Sequence, residues 1–238
     1  MMMTPEQLEI ASLMDHALLA PNLTVRQIGD GCREVAPLRV ASVCVVPHAV
    51  VLCRQILEGS GVRTSTVIGF PHGANTPEVK AEDARHALGD GAEELDMVCN
   101  ISRAASNEWP FLEDEIGMAL GVVRRHGARL KVIFETCFLS DAQIIALCGV
   151  CSRVGVDWVK TSTGFANGGA TEHHVRLMRE HTAPHIGVKA SGGVRDLAAV
   201  RLYQSLGCSR VGTSRTAAIL AEVAGREARH AEGKGEGY

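Results

Sequence analysis

The sequence has few aromatic residues, no excess of basic residues and no long apolar run. Aromatic residues make up 4% of the 238 residues, and 24 Lys and Arg stand against 27 Asp and Glu, a formal net charge of −3. Proteins that bind nucleic acid need clustered cations or aromatic platforms for the bases. No segment approaches the ~18 consecutive apolar residues that predict a membrane span. We therefore expect neither nucleic acid nor a membrane as a partner.

Signals for secretion are also lacking. The first ten residues, MMMTPEQLEI, contain no basic region followed by a long apolar run, so we predict no signal peptide. The eight cysteines are irregularly spaced, which argues against a disulfide framework. We interpret them as reduced thiols and predict a cytoplasmic protein.

Motifs for metals and cofactors are weak. Cys148 and Cys151 form a CxxC on a predicted helix, but no second pair accompanies them. His173, His174 and His181 lie on a polar helix and lack the HExxH spacing, which favours a solvated helix face over a zinc site. We expect no metal and no cofactor.

Eight short apolar runs recur along the chain at intervals of roughly 20–35 residues, the length of a strand–helix unit. Most are near-continuous and rich in β-branched residues, as strands buried on both faces are. The predicted strands are Ser12–Leu18, Val40–Val46, Ser65–Phe70, Glu93–Val98, Leu130–Glu135, Val156–Thr161, Ile186–Ala190 and Ser209–Thr213. Four of the segments between or before them begin with helix-capping pairs: Thr4-Pro5, Thr76-Pro77, Ser140-Asp141 and Thr171-Glu172.

This alternation predicts the α/β class and a single (β/α)₈ TIM barrel. A doubly wound open sheet is the alternative, and it would be favoured by a glycine-rich dinucleotide fingerprint after the first strand. DHALLAPN stands there instead. We place the barrel, with an N-terminal helix, in residues 1–225. Residues 226–238 are polar and glycine-rich, and we expect a flexible tail there.

In such a barrel the active site lies at the carboxyl ends of the strands. Polar residues predicted at those ends are Asp15, Cys44, Asp96, Glu135, Lys160 and Lys189. Lys160 and Lys189 end neighbouring strands ~4.8 Å apart. Like charge and desolvation lower the pKa of a lysine, and the free amine then forms a Schiff base with a carbonyl. The alternative is that each lysine only pairs with a carboxylate inside the barrel mouth.

The neighbouring charged residues leave similar alternatives open. Asp96 either moves protons near an iminium or forms a salt bridge with a lysine. Lys131 and Glu135 share strand parity, so both face either the barrel interior or the helix layer. Lys80, with its charged neighbours on the predicted helix that begins at Thr76-Pro77, is expected on an exposed face.

Two glycine-rich turns late in the chain predict an anion site. Ser191-Gly192-Gly193 and Gly212-Thr213-Ser214 precede helix N-termini, where backbone N–H groups are free to bind a phosphate. Arg195 and Arg215 stand nearby and can add positive charge.

The motifs together resemble those of one enzyme family. They are MDHALLAPN (14–22), ASVCVVP (41–47), GFPHG (69–73), GAEELDMVCNI (91–101), LKVIFET (130–136), DWVKTSTGF (157–165), GGAT (168–171), VKASGGVR (188–195) and RVGTS (210–214). The chain resembles the deoxyribose-phosphate aldolases, class I aldolases with a (β/α)₈ barrel. The resemblance runs from Leu13 to about Leu220.

The resemblance implies a role for each matching residue. Lys160 would form the Schiff base, Lys189 would hold down its pKa, and Asp96 would shuttle protons with water. Substrate contacts are implied for Asp15, Cys44, Thr163, Gly164, Gly192, Gly193, Gly212 and Ser214, the five last around the phosphate. Tyr238 would assist proton transfer, as a terminal tyrosine does in some family members, or would belong to a disordered tail.

The implied reaction is the reversible cleavage of 2-deoxy-D-ribose 5-phosphate to D-glyceraldehyde 3-phosphate and acetaldehyde, without a metal. The partners implied are thus a phosphosugar and acetaldehyde, and a homodimer is left open. Ala17 and Ala20 replace a Thr and a Lys of many relatives, which leaves acceptor preference open. Arg215 replaces a second Ser, and it would either tighten phosphate binding or point to solvent.

Overall fold

The computed structural model describes residues 3–225 and contains the predicted closed barrel of eight parallel strands in chain order. The strands are β1 (Met14–Leu18), β2 (Ser42–Val45), β3 (Arg63–Ile68), β4 (Glu94–Val98), β5 (Arg129–Ile133), β6 (Trp158–Lys160), β7 (Gly187–Ser191) and β8 (Arg210–Thr213). The α-helices are α1 (Pro5–Ser12), α2 (Val25–Val35), α3 (Val50–Leu57), α4 (Pro77–Gly89), α5 (Ile101–Ala105), α6 (Trp109–Arg125), α7 (Asp141–Val154), α8 (Glu172–His181), α9 (Leu197–Ser205) and α10 (Thr216–Val223). The predicted (β/α)₈ fold is confirmed.

Local capping fixes where several helices begin. Thr4 accepts a hydrogen bond from the Gln7 amide while the Gln7 side chain accepts one from the Thr4 amide, so a capping box opens α1. Ser140 and Gln143 do the same for α7. Thr76 caps α4, with Pro77 at its first position. These starts are the ones that the sequence predicts.

The apolar core lies between the barrel and the helices rather than inside the barrel. Outward-facing strand residues such as Val43, Leu95, Leu130 and Val188 are fully buried and pack with helix residues in one large cluster. Removing such a side chain, as in Leu130→Ala, costs about 2–5 kcal/mol through lost burial and the cavity left behind. This layer therefore carries most of the hydrophobic stabilisation.

The barrel interior is charged. Ion pairs join Asp15 on β1 to Lys131 on β5, and Glu94 on β4 to Arg210 on β8, across the barrel. Since side chains alternate along a strand, residues two apart share this inward face. The interior thus holds acidic and basic side chains from the bottom of the barrel to its mouth.

Two glycines leave space for side chains of the neighbouring strands. A Cβ at Gly187 would lie 2.2 Å from the Trp158 ring, and one at Gly212 would lie 2.8 Å from the Cβ of Ser191. Trp158 occupies the space beside Gly187, where its indole N–H donates to the Ser209 hydroxyl over 2.9 Å.

The prediction for Lys80 is wrong. Its side chain is fully buried, and its ammonium group donates to Glu115 on α6 over 2.7 Å and to the Val98 carbonyl over 2.9 Å. A buried carboxylate on another helix, 35 residues away, compensates the charge, which the local sequence pattern does not reveal.

Residues 226–238, the predicted flexible tail with Tyr238, lie outside the described residues, so the domain boundary at 225 stays a prediction. Within residues 3–225, no helix is both long and apolar enough to cross a membrane.

Candidate active site

Lys160 and Lys189 are direct neighbours in the barrel. Lys160 is the last residue of β6 and pairs in register with Lys189 on β7. β7 continues for two residues beyond Lys189, to Ser191, so Lys189 lies one layer inside the strand end that the sequence predicts. Both side chains are nearly inaccessible, with 4% of the Lys160 side chain and 2% of the Lys189 side chain exposed.

Asp96 stands at the centre of the charged groups. Its Oδ2 accepts hydrogen bonds from the ammonium groups of Lys160 and Lys189, each over 2.8 Å. Its Oδ1 accepts one from Lys131, also over 2.8 Å. One fully buried carboxylate therefore links three lysines from β5, β6 and β7.

A second set of groups continues this network toward the bottom of the barrel. Lys131 approaches Glu94 to 2.6 Å, and Lys189 approaches Asp15 to 2.6 Å. Arg210 donates to both oxygens of Glu94, over 2.9 and 3.1 Å, and also to Asp15. Four buried basic and three buried acidic side chains thus form one connected group.

Glu94 and Arg210 were not among the predicted site residues. A signal was available, because Glu94 precedes Asp96 by two residues and Arg210 precedes Gly212 by two, so each pair shares a face. For Lys131 the structure selects the inward alternative.

Burial and ion pairing act differently on the three lysines. Burial lowers the pKa of Lys160 below its ordinary value; Asp96 opposes this effect and Lys189 adds to it. Burial acts in the same direction on Lys189, but Asp15 and Asp96 together raise its pKa above the ordinary value. Lys131 has its pKa raised in the same way by Asp15, Asp96 and Glu94, which outweigh burial. Lys160 is therefore the lysine of the three that is biased toward the neutral amine.

The neighbouring basic groups lower the pKa values of the buried carboxylates. Burial would raise the pKa of Asp96, but Lys131, Lys160 and Lys189 hold it well below its usual value. The pKa of Asp15 is likewise lowered against burial, by Lys131, Lys189 and Arg210. Both groups are thus anionic near neutral pH.

Glu135 lies apart from the ion pairs. It follows β5 with φ of +54°, so strand parity no longer applies to its side chain. Its Oε2 accepts from the Thr163 backbone N–H over 3.2 Å and from the Thr163 hydroxyl. The Thr163 oxygen also accepts from the Phe165 N–H over 3.0 Å. Thr163, a predicted substrate contact, thereby fastens the loop after β6 to the loop after β5.

Cys44 is buried in the barrel mouth with Leu19 and Val67. Burial raises the pKa of its thiol to about 11, with a smaller contribution from Asp96, so it stays protonated at neutral pH. A cavity of about 540 Å³ lies beside this mouth, with apolar residues such as Leu19, Val67, Phe70 and Phe165 in its wall. The two predicted catalytic lysines do not line this cavity.

The loops that follow β6 and β7 meet backbone to backbone. The Ala170 N–H donates to the carbonyls of Ser191 and Gly192, each over 3.0 Å. Gly164, Gly192 and Gly193 all have φ between +82° and +85°, a conformation that favours glycine. A Cβ at Gly192 would lie 2.9 Å from the Gly169 Cα, so the close approach also requires glycine.

The loop after β8 joins the same region. The Thr213 hydroxyl donates to the Val194 carbonyl over 2.8 Å and accepts from the Arg215 N–H over 3.0 Å. Ser214 and Arg215 are exposed, and α10 begins without a side-chain cap on its first N–H groups. Gly212 lies within β8 and faces Ser191 and Lys189. Free helix N–H groups, exposed arginine and glycine-lined backbone form a surface suited to an anion.

One group of described residues places three metal-ligating atoms within 4.8 Å of one another: Asp141, His173 and His174. His173 and Asp141 are exposed and form a pair at 2.8 Å. The group belongs to α7 and α8, outside the barrel interior. Cys148 and Cys151 are buried within α7 as free thiols.

The fold and the site define a class of (β/α)₈ barrel in which a buried amine and a carboxylate meet at the carboxyl end of the strands. The family model for the DeoC/LacD family of aldolases matches residues 10–205. The chain belongs to this family, which confirms the resemblance seen in its motifs.

Curated relatives and solved structures agree with this family assignment. The chain is 46% identical over 215 residues to deoxyribose-phosphate aldolase of Rhodopirellula baltica, covering 90% of this chain and 89% of the relative. It is 43% identical over 216 residues to the deoxyribose-phosphate aldolase of Caldanaerobacter subterraneus, covering 90% and 94%. The tetrameric deoxyribose phosphate aldolase from Aeropyrum pernix superposes with a TM-score of 0.86 at 30% identity, covering 92% of each chain.

Proposed function

We propose that this chain is a deoxyribose-phosphate aldolase that cleaves 2-deoxy-D-ribose 5-phosphate reversibly to D-glyceraldehyde 3-phosphate and acetaldehyde through a Schiff base on Lys160. Relatives of that name, matched over nine-tenths of the chain, support the substrate. The observation that carries the mechanism is a contrast in contacts: Lys131 and Lys189 each pair with at least two carboxylates, whereas Lys160 pairs with Asp96 alone among the described residues. This contrast agrees with the lowered pKa of Lys160.

The chemistry follows from this amine. Lys160 attacks the aldehyde carbon C1 of the open-chain sugar phosphate, and loss of water leaves an iminium. The C3 hydroxyl gives up its proton as the C2–C3 bond breaks, and the bonding electrons pass into the iminium to form an enamine. Protonation at C2 and hydrolysis release acetaldehyde and return the free amine.

Asp96 serves the proton transfers. Its Oδ2 lies 2.8 Å from both Lys160 and Lys189, so a water beside it can exchange protons between the C3 hydroxyl and C2. Lys189 stays protonated because Asp15 and Asp96 raise its pKa, and its charge disfavours a second charge on Lys160. Removal of Tyr238 is expected to slow proton exchange at the acetaldehyde methyl group if the tail takes part.

The phosphate of the substrate binds at the late loops in this proposal. Gly164, Gly192 and Gly193 present backbone in the loops after β6 and β7. The hydrogen bond from Thr213 to Val194 joins these loops to the segment that carries Ser214, before the uncapped start of α10. Gly212 contributes through the space it leaves beside Ser191. Arg215, exposed next to Ser214, adds positive charge near the phosphate.

Of the remaining predicted contacts, Cys44 and Thr163 lie at the barrel mouth. Asp15 is the second residue of β1 rather than its carboxyl end, so in this proposal it acts from below, through Lys189. Asp15 orients Lys189, Cys44 contributes a protonated thiol to the wall, and Thr163 holds the loop after β6 in place. We further propose that the enzyme works in the cytoplasm, since all eight cysteines are free, and that two copies pair as a homodimer. Light scattering would then give twice the 25.3 kDa chain mass.

The test is borohydride trapping with acetaldehyde, read by intact mass and peptide mapping. We expect one ethyl group on Lys160, no adduct in Lys160→Met, and cleavage of 2-deoxyribose 5-phosphate by the parent chain alone. An adduct on Lys189 would exchange the roles of the two lysines. A folded protein with no adduct would refute the Schiff-base mechanism.

A further inference from the structure

Among the hydrogen bonds and ion pairs of the described residues, none joins Arg210 to Lys160, yet Arg210 holds both carboxylates at the bottom of the barrel. Its guanidinium donates to Glu94 through two nitrogens, over 2.9 and 3.1 Å, and to Asp15 through one of them. Only 6% of its side chain is exposed, and its charged carbon lies 4.8 Å from the centre of the Trp158 ring. An arginine in such a fork is always charged.

These contacts decide how the remaining carboxylate oxygens are shared. Lys131 pairs with Glu94 and Asp96, and Lys189 pairs with Asp15 and Asp96. Among residues 3–225, Lys160 pairs with Asp96 alone, through an oxygen that it shares with Lys189. With Arg210 present, the connected group has four buried basic members for three buried carboxylates. Lys160 is therefore the basic group whose positive charge is least compensated by carboxylates.

We propose that Arg210 is a positioning residue that occupies Asp15 and Glu94 and so leaves Lys160 as the free amine of the barrel. The proposal deepens the function proposed above and rests on Lys160 as its nucleophile. Without the guanidinium, Asp15 and Glu94 would draw Lys189 and Lys131 toward themselves. Asp96 would then be left to Lys160, which would keep its proton.

Charged or titratable side chains face Lys160 from most of the surrounding strands. Charged or titratable groups come from Asp15 on β1, Cys44 on β2, Glu94 and Asp96 on β4, Lys131 on β5, Glu135 after β5, Lys189 on β7 and Arg210 on β8. β3 turns Ser65 and Val67 toward the interior. Arg63 and Arg129 approach Glu94 from the rim at 3.6 and 4.0 Å, but their side chains are more than two-fifths exposed and thus screened by solvent. None of these groups changes in the variants below except Glu94 and Arg210.

The experiment measures the protonation of Lys160 directly. The probe is formaldehyde with dimethylamine–borane, which methylates only unprotonated amines, and peptide mapping gives the modified fraction of Lys160 from pH 6 to pH 10. In Arg210→Met we expect the midpoint to rise by about one pH unit or more, which lowers modification at pH 7 about tenfold. Arg210→Lys keeps the charge and is expected to stay close to the parent midpoint.

A charge-matched double variant separates this effect from a damaged fold. Glu94→Gln alone removes one carboxylate and should move the midpoint downward. Arg210→Met combined with Glu94→Gln removes one charge of each sign and should restore the parent midpoint. The proposal would be overturned if folded Arg210→Met kept the parent midpoint of Lys160 modification. It would also be overturned if the double variant showed the same shifted midpoint as Arg210→Met alone. Because this probe needs no sugar phosphate, a parent chain that fails to cleave 2-deoxyribose 5-phosphate would refute the proposed function while the Arg210 result stands on its own.

Discussion

At the scale of single residues, the environment rather than the residue type selects the reactive amine. Lys131, Lys160 and Lys189 all contact Asp96 at 2.8 Å. Lys131 and Lys189 each have a further carboxylate within 2.6 Å, and Lys160 has none in the described ion pairs. Burial without a carboxylate of its own is what lowers the pKa of Lys160.

Replacing Lys189 by leucine tests whether its charge helps to lower the pKa of Lys160. The change removes a positive charge beside Lys160 and leaves Asp96 Oδ2 to Lys160 alone, and both effects raise the pKa of Lys160. The acid limb of the pH dependence of kcat/KM should move up by about one unit or more. Lys189→Arg, which keeps the charge, serves as the control. An acid limb at the same pH in Lys189→Leu would show that the two lysines are not coupled.

At the scale of secondary-structure elements, the sequence predicts what is determined locally. The eight strands are predictable because strands buried on both faces require near-continuous β-branched runs. The starts of α1, α4, α7 and α8 are predictable because a cap and its partner lie three residues apart.

Ion pairs between side chains that are distant in the sequence cannot be predicted from local patterns. Lys80 is buried because Glu115 meets it from another helix, and Arg210 joins the site because Glu94, 116 residues away, faces it across the barrel. The sequence contains the parity of each strand, but the register that brings two strands together depends on closure of the whole barrel. For this reason the inward face of Arg210 could be read from strand parity, but its pairing with Glu94 could not.

A substitution at Gly187, at the start of β7, tests how tightly the barrel interior is packed around Trp158. In Gly187→Ala the new Cβ would lie 2.2 Å from Trp158 and 2.6 Å from the Ser209 hydroxyl, so the indole must shift. We expect a loss of about 1–3 kcal/mol in the free energy of unfolding, measured in urea, and a change in tryptophan emission. Gly117→Ala, on an exposed face of α6 with nothing near its Cβ, should instead gain about 0.5–1 kcal/mol. Equal stability of the two variants would contradict the packing argument.

His16 couples β1 to α10 and makes that contact sensitive to pH. Its Nδ1 lies 3.0 Å from the Thr216 hydroxyl, and burial lowers its pKa from 6.5 to about 4. Between these two values the unfolded chain binds a proton that the folded chain does not, so acid favours unfolding. The contribution is complete above about pH 6.5, and about 3 kcal/mol is lost as the pH falls to 4.

The variant His16→Gln should show a flatter fall in unfolding free energy between pH 7 and pH 4.5 than the parent chain. Urea denaturation at intervals of half a pH unit measures the difference. The exposed His181→Gln is the control, and its profile should follow that of the parent. A His16→Gln profile as steep as the parent's would assign the acid sensitivity to other groups.

At the scale of the whole molecule, apolar packing and chemistry occupy separate layers. The large apolar cluster lies outside the strands, and the seven connected charged groups lie inside them. Each interior carboxylate is already bound to two or more cationic groups, which leaves it poorly suited to hold a metal ion as well. Among the described residues, the group able to offer three ligands is Asp141, His173 and His174, on helices outside the barrel.

Exhaustive treatment with EDTA should therefore leave cleavage of 2-deoxyribose 5-phosphate unchanged, because the iminium on Lys160 is itself the electron sink. Metal content of the treated protein, measured by elemental analysis, must be below a tenth of an equivalent for the comparison to count. His174→Ala, which removes one of the three possible ligands, should also keep parent activity. A loss of tenfold or more that a divalent cation restores in the parent chain would replace the Schiff-base mechanism with a metal-dependent one. If His174→Ala alone abolished that recovery, the metal would act from the surface group rather than from within the barrel.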